Sequence, residues 1–161
     1  MEREGYIFDG WDRDFLEVKY TMTVTAKWLK LHTVTFDPNG GLAEGELVQI
    51  VKDGSAAEAP TVARSGYLFD GWDMDFSNVT QDMTVKALWS KAYIVTFDLD
   101  GGSLVSGYAA QSVRSGSSAI PPEVRRDGYV LDGWTGSYEN VTEDVTVKAI
   151  WAKAYTVTFD L

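Results

Sequence analysis

The chain repeats itself at an interval of about sixty residues, and this repeat constrains the fold more than any other feature. The block Gly5–Trp11 returns as Gly66–Trp72 and Gly128–Trp134, after 61 and then 62 residues. Solenoid repeats are shorter, roughly 20–50 residues, so the interval predicts small domains in tandem. Two further blocks recur at the same spacing: Met22–Trp28 with Met83–Trp89 and Val145–Trp151, and Thr33–Asp37 with Val95–Asp98 and Thr156–Asp160.

The positions of these blocks predict four segments. Residues 1–30 carry only the second half of a repeat, here called the half-repeat. Residues 31–90 and 91–152 form the first and second complete repeats, and residues 153–161 supply the first strand of another. The connection between the complete repeats, Ser90–Tyr93, is short, which predicts that they do not swivel freely.

Composition excludes several kinds of chemistry. With 24 acidic and 14 basic residues the net charge is −10, which opposes binding to phosphate backbones, so we expect no nucleic-acid partner. The absence of cysteine excludes disulfides, cysteine-based zinc sites and thiol nucleophiles. No apolar run approaches the roughly 18 residues of a membrane helix, so we expect no membrane span in this fragment. No signal peptide is visible behind Met1.

One complete repeat predicts an α+β domain. Thr33–Phe36 and Met83–Trp89 alternate as strands do, and Glu46–Lys52 and Tyr67–Phe69 predict two more. Ser55–Glu58 has the spacing of a helix capping box, and Pro60 limits that helix to about one turn. The expected fold is a mixed four-stranded sheet covered by one short helix.

Large aromatic side chains are the expected structural core, because a unit of this size buries little surface and each aromatic contributes about 150–250 Å². The recurring tryptophans could instead form a sugar-stacking platform, but their apolar neighbours favour core packing. The predicted core residues are Phe36, Tyr67, Phe69, Trp72, Phe76, Trp89, Phe97, Tyr129, Trp134 and Trp151.

These blocks together resemble the Listeria–Bacteroides repeat, also called the internalin B-repeat. The resemblance is carried by Val34–Gly41, Gly66–Trp72 and Val85–Trp89, and it recurs in the second copy. It implies a ubiquitin-like β-grasp module, found in tandem in bacterial surface and secreted proteins. We therefore expect an extracellular, non-enzymatic stalk or spacer, or alternatively an adhesion module that binds a host or neighbouring protein or glycan through strand edges or loops. The family supplies no catalytic or cofactor-binding residues.

Some residues could suggest a catalytic or metal-binding site, but each of them has a simpler structural interpretation. His32 is the only histidine, and we interpret it as a solvated linker residue. Asp98–Gly102 begins like a calcium loop but lacks the later ligands, so a turn is favoured and no metal site is predicted. Asp73 and Asp75 are replaced by Thr135 and Ser137 in the second copy, where any ligand that depends on them would be lost.

The two ends of the chain are complementary. The half-repeat lacks a first strand. At the other end of the chain lies the first strand of another repeat, formed by Thr156, Val157, Thr158 and Phe159. We therefore predict strand exchange between neighbouring molecules, because the ends of an extended chain lie far apart. The alternative is that the half-repeat is stabilised only by packing against residues 33–89.

Overall fold

The computed structural model describes residues 2–160, so Met1 and Leu161 of the predicted terminal segments lie outside it. The described residues fall into two compact units, one formed up to Ala63 and by Phe69–Leu88, the other by Arg64–Leu68 and the residues from Trp89 on. They contain strands and no helix. The strands are β1 (Tyr6–Trp11), β2 (Ala26–Asp37), β3 (Leu42–Glu44), β4 (Val48–Lys52), β5 (Thr61–Ala63), β6 (Tyr67–Trp72), β7 (Met83–Asp98), β8 (Ser103–Ser106), β9 (Ala110–Arg114), β10 (Glu123–Arg125), β11 (Tyr129–Trp134) and β12 (Val145–Lys153).

The first unit is organised around the long strand β2. Its first half pairs antiparallel with β1, placing Tyr6 opposite Lys30. Its second half pairs antiparallel with β4 on one side and parallel with the start of β7 on the other. In the parallel pair Val34 lies opposite Met83, and Phe36 lies opposite Val85. A separate short pair, β3 with β5, completes this unit.

The second unit repeats this arrangement. The last residues of β7 pair antiparallel with β9 and parallel with β12, and Phe97 lies opposite Val147. Strand β12 also pairs antiparallel with β11, and β8 pairs with β10. In both complete repeats the first and last strands are therefore parallel neighbours in a mixed sheet.

The core of each unit forms where the first strand meets the recurring aromatic residues. Phe36 is buried and packs edge-on against Trp72 and Phe76, with ring centroids 5.0 and 5.2 Å away. Phe97 packs against Trp134 at 4.9 Å in the second unit. Alternation along a strand explains this pattern, because every second residue points into the same face.

The predicted α+β class is wrong, and so is the ubiquitin-like module with its helix. The segment Ser55–Pro60 forms no helix, and its backbone N–H groups donate to other parts of the unit. The backbone N–H of Glu58 donates to the side-chain oxygen of Gln49 at 2.9 Å, and that of Ala57 donates to the carbonyl of Phe76 at 3.0 Å. A capping box would need the N–H of Glu58 to donate to the side chain of Ser55, and Gln49 accepts that N–H instead. The strand-rich, mixed-sheet part of the expectation agrees with the structure.

Gly102 marks a position where no side chain fits. A Cβ atom there would overlap the ring of Trp151 and would lie 3.0 Å from the carbonyl oxygen of Leu99. The Trp151 ring is fixed in place, since its Nε1–H donates to that same carbonyl oxygen at 3.0 Å. The close approach of the Trp151 ring thus explains why the second residue of this Gly-Gly pair, Gly102, is a glycine.

We predict that Gly102→Ala destabilises the second unit by about 1–3 kcal/mol, the usual cost of forcing extra volume into a packed site. Denaturant unfolding followed by tryptophan fluorescence measures this loss. In a double-mutant cycle with Trp151→Leu, the cost of the alanine should shrink, because the overlapping ring is gone. An equal cost in both backgrounds would contradict the steric explanation.

Candidate functional site

The recurring acidic residue after the Gly-Trp pair acts as a backbone clamp. Oδ1 of Asp73 accepts the N–H of Lys86 at 2.7 Å, while the N–H of Asp73 donates to the carbonyl of Lys86 at 3.0 Å. These two hydrogen bonds, here called the backbone clamp, lie at the end of the strand pair. A hydroxyl group in place of the carboxylate accepts the same backbone N–H. The same pair of bonds joins Asp12 with Thr25 and Thr135 with Lys148.

Asp75 has a similar local role in the following turn. Its carboxylate accepts the backbone N–H of Ser77 at 2.8 Å and the Ser77 hydroxyl at 3.0 Å. The backbone N–H of Ser77, and after it the hydroxyl, hold the pKa of Asp75 below its ordinary value. In the second copy Ser137 accepts the N–H of Glu139 at 3.2 Å. The structure therefore uses these side chains as hydrogen-bond acceptors for the backbone.

The calcium-like sequence at Asp98–Gly102 is a turn. Oδ1 of Asp98 accepts the N–H of Asp100, and Asp100 forms an ion pair with Lys148 at 2.8 Å. The hydrogen bond from Lys148 lowers the pKa of Asp100 and, reciprocally, raises the pKa of Lys148. Over residues 2–160, no three His, Cys, Asp or Glu side chains come together in the manner of a metal site.

The interpretation of His32 as a solvated linker residue is wrong, because its side chain is buried. Its Nε2 lies 2.8 Å from Oδ1 of Asp53, and its Nδ1 lies 3.7 Å from Oδ1 of Asp82. Asp82 also accepts the N–H of Thr33 at 2.8 Å. The histidine therefore helps to fix the middle of β2. At the equivalent position of the second copy stands Tyr93, and the N–H of the residue after it, Ile94, again donates to an aspartate, Asp144, at 2.8 Å.

The predicted core residues differ in burial. Phe36 and Phe97 are buried, whereas Phe69 and Tyr129 are 37% and 39% exposed. The rest are half-buried, namely Tyr67, Trp72, Phe76, Trp89, Trp134 and Trp151. Trp72, Phe76 and Trp134 pack directly against the two buried clusters. These packed rings are not arranged as a free sugar-stacking platform.

The half-repeat carries an open apolar groove. Its volume is 470 Å³, and its lining consists almost entirely of apolar side chains. The lining residues are Trp11, Phe15, Val18, Thr21, Met22 and Val24. Sequence reasoning missed this groove, although the absence of a first strand before Tyr6 was the signal that could have found it.

The open groove is the counterpart of a filled site in the first complete repeat. Five of its lining residues correspond to Trp72, Phe76, Val79, Met83 and Val85, which all surround the buried side chains of Val34 and Phe36. Val79 is 1% exposed and its counterpart Val18 is 59% exposed, because neither the first strand nor the residues Val51 and Ala57, which also pack on this cluster, have a counterpart in the half-repeat. The open groove therefore has the shape and chemistry of a site for a Val-x-Phe strand.

The terminal residues predicted for strand exchange form no strand in the structure. Thr156, Val157, Thr158 and Phe159 are all exposed. Phe159 is 84% exposed and Val157 is 73% exposed, although the corresponding Phe36 and Val34 are buried.

A second surface feature lies on the first unit at the edge strand β4. Val48 and Ile50 project from it and are exposed. They border a shallow depression of 760 Å³ that is also lined by Glu44, Glu46 and Glu58. Its chemistry is that of an apolar strip with an acidic rim.

We predict that Asp75→Ser, which copies the acceptor Ser137, makes stability less sensitive to acid. A carboxyl group with a lowered folded-state pKa stabilises the fold above its unfolded pKa of about 3.9, and this contribution disappears as the pH falls through the lowered value. Melting temperatures at pH 7 and pH 2 should therefore differ less in the variant than in the wild type. Glu143→Gln, outside this turn, is the control. An unchanged difference in Asp75→Ser would contradict this role.

No helix in residues 2–160 is long and apolar enough to cross a membrane. Two relatives from Evansella cellulosilytica align with almost the whole chain. One, named "Putative Gly-rich membrane protein", is 31% identical over 98% of this chain and 22% of its own length. The other, named "Putative membrane protein", is 28% identical over 99% of this chain and 28% of its own length. The chain thus spans about a quarter of these relatives, and no solved structure matches it.

The match to a known family coincides with the two complete repeats. The Listeria-Bacteroides repeat domain matches residues 32–87 and again residues 93–152. These two ranges contain the parallel first and last strands, the two buried aromatic cores, and the backbone clamps at Asp73 and Thr135. The chain therefore belongs to the Listeria-Bacteroides repeat domain family and contains two consecutive copies of that domain.

Proposed function

We propose that this chain is a non-catalytic spacer within a bacterial cell-surface or secreted protein, where it transmits tension along a stalk. Its membership of a repeat family supports this function. The names of its relatives, both described as membrane proteins, support a place at the cell envelope. Their much greater length is consistent with repeats that form only one part of a larger molecule.

The observation that carries the proposal is the parallel pairing of first and last strands. In the first unit the pairing runs from Val34 opposite Met83 to Asp37 opposite Lys86. Tension pulls the first strand from its amino end and the last strand from its carboxyl end, which lie at opposite ends of the pair. The hydrogen bonds between the strands are then loaded together in shear, instead of opening one after another.

The joint between the half-repeat and the first complete repeat supports the same function. Strand β2, Ala26–Asp37, runs through this joint without a break. Lys30 and Leu31 at its centre are held from both sides, since the carbonyl of Lys30 accepts the N–H of Asp53 and the N–H of Leu31 donates to the carbonyl of Gly5, both at 2.8 Å. A spacer benefits from such a joint because no flexible linker absorbs the tension.

We predict that the first unit resists force more strongly in the direction of the chain than across it. Because the chain contains no cysteine, cysteine pairs provide unique attachment points for single-molecule force measurements. Thr33→Cys with Leu88→Cys loads the β2–β7 pair in shear. Thr35→Cys with Thr84→Cys, at directly opposed residues, pulls the same strands apart and is the matched control. The shear pair should unfold at the higher force; an equal or lower force would refute the proposed mechanical role.

The second candidate function is adhesion through the open edge at β4. The observation that favours it is the exposed strip of Val48 and Ile50 beside the acidic depression. An exposed strand edge can accept an extended segment of a partner, and its side chains then supply selectivity.

Adhesion at this edge predicts that Val48→Lys with Ile50→Lys lowers the binding of the labelled chain to host or bacterial cells at least tenfold, measured by flow cytometry. The loss follows from two charges placed in an apolar contact. Leu104→Lys with Val105→Lys, an exposed pair on β8, is the control. Absence of cell binding by the wild type, or equal binding by both variants, would exclude the β4 edge as the adhesive surface.

A further inference from the structure

The outer edge of β4 presents backbone groups of the first unit that have no strand beside them. Among residues 2–160, β4 pairs with β2 alone. At the end of this pair the N–H of Asp53 donates to the carbonyl of Lys30 at 2.8 Å. Because bonded and non-bonded residues alternate along an antiparallel pair, the N–H and C=O groups of Val48 and Ile50 point away from β2. An extended segment can therefore be added at this edge.

The side chains around this edge are apolar at the strand and acidic beside it. Val48 and Ile50 are 59% and 70% exposed. The described residues that line the adjoining depression include Glu44, Glu46 and Glu58, and no lysine or arginine. The surface thus combines backbone donors and acceptors, an apolar strip, and negative charge that no basic lining residue balances.

The side chain of Gln49 holds two of these glutamates in place. Its Oε1 accepts the backbone N–H of Glu58 at 2.9 Å, and its Nε2 donates to the carbonyls of Glu46 and Glu58. These bonds, here called the glutamine bridge, involve only the backbone of the two glutamates. The carboxylates themselves are therefore not needed to form it.

The second unit contains the same glutamine bridge but presents different side chains on it. Gln111 binds the backbone of Tyr108 and Ile120, whose side chains are 75% and 78% exposed. Ala110 and Ser112 occupy the outward positions of the equivalent strand, β9. One backbone arrangement thus carries an acidic pair in the first unit and an apolar pair in the second. Since the fold forms with either pair, the glutamates are explained better by recognition than by folding.

We propose that the β4 edge binds an extended cationic segment of a partner protein, in which apolar residues alternate with lysine or arginine, as an added strand. This inference rests on the second candidate function, adhesion at β4, and specifies the chemistry of the partner. The partner's backbone pairs with Val48 and Ile50, and its apolar side chains cover theirs. Its cations lie beside Glu46 and Glu58. The equivalent edge of the second unit does not select this segment.

Charge selects the partner, whereas backbone pairing and apolar contact supply most of the affinity. Exposed ion pairs contribute little each, but complementary charge favours one class of partner and disfavours its opposite. The net charge of −10 attracts any cation weakly to the whole chain. A test of the β4 edge therefore has to compare variants that remove equal charge from different places.

Calorimetric titration of the full chain with a short peptide of alternating valine and lysine tests this partner class. At low salt the wild type should bind this peptide at least tenfold more tightly than the same peptide with glutamate in place of lysine. N-methylation of the peptide's backbone amides keeps its charge but removes its N–H donors, so it should also weaken binding about tenfold or more.

Two variants locate the binding surface. Glu46→Gln with Glu58→Gln should weaken binding of the valine–lysine peptide roughly tenfold, and the glutamine bridge is unaffected because it uses only backbone atoms of these residues. Glu139→Gln with Glu143→Gln removes the same charge from exposed positions of the second unit and is the matched control. It should change the affinity by no more than about twofold.

Equal affinity for the lysine and glutamate peptides, or for the N-methylated peptide, would overturn the proposal. An equal loss in the two variants would do the same. Cell binding separates this inference from adhesion itself. Selective peptide binding by a chain that binds no cells supports the partner chemistry and refutes adhesion. Cell binding that falls in Val48→Lys with Ile50→Lys, but not in Glu46→Gln with Glu58→Gln, supports adhesion and refutes a cationic partner.

Discussion

The insertion of a Val-x-Phe strand beside the last strand of the repeat is the interaction on which the rest of the fold depends. It places Phe36 against Trp72 and Phe76, and full burial of such a side chain stabilises by about 1.5–3 kcal/mol. It also forms the parallel pair that joins the beginning of a repeat to its end. In the half-repeat, where this strand is missing, the same walls remain open to solvent.

Differences between the copies show which side chains serve the fold. Asp73 becomes Thr135 without loss of the two clamp bonds, because either side chain offers an oxygen to the N–H of the opposite strand. Asp75 becomes Ser137, which again accepts a backbone N–H two residues later. A ligand site would require the carboxylates themselves, whereas a turn requires only an acceptor. The recurring polar residues are therefore explained by local backbone geometry.

Much of the architecture could be predicted from the repeat and its strand alternation. The absence of the expected helix could not be predicted, because Ser55 and Glu58 have the spacing of a capping box while tertiary contacts decide their backbone partners. Ile120 stands in place of Glu58 in the second copy, and Gln111 binds its backbone as Gln49 does in the first. The second copy thus indicates that the capping-box spacing in the first copy does not specify a helix.

Part of the candidate site could be predicted from the sequence. The Val-x-Phe motif that fills the counterpart groove recurs at residues 34–36, 95–97 and 157–159. The open groove, however, is lined by side chains from residues 11–24, and their arrangement around it depends on the fold. The burial of His32 was likewise hidden, since its partners Asp53 and Asp82 lie 21 and 50 residues further along the chain.

Amide hydrogen exchange of the dilute chain tests the central claim most directly. The relevant amides are those of Met83–Val85, in the strand segment paired with a first strand, and those of the equivalent Met22–Val24, which lie outside any strand. Lys86 and Thr25 are excluded, because the N–H of each already donates to a clamp residue. The account predicts slow exchange for the first set and fast exchange for the second, at a concentration where the chain is monomeric. Equal protection of the two sets would contradict the claim that the first strand completes the repeat.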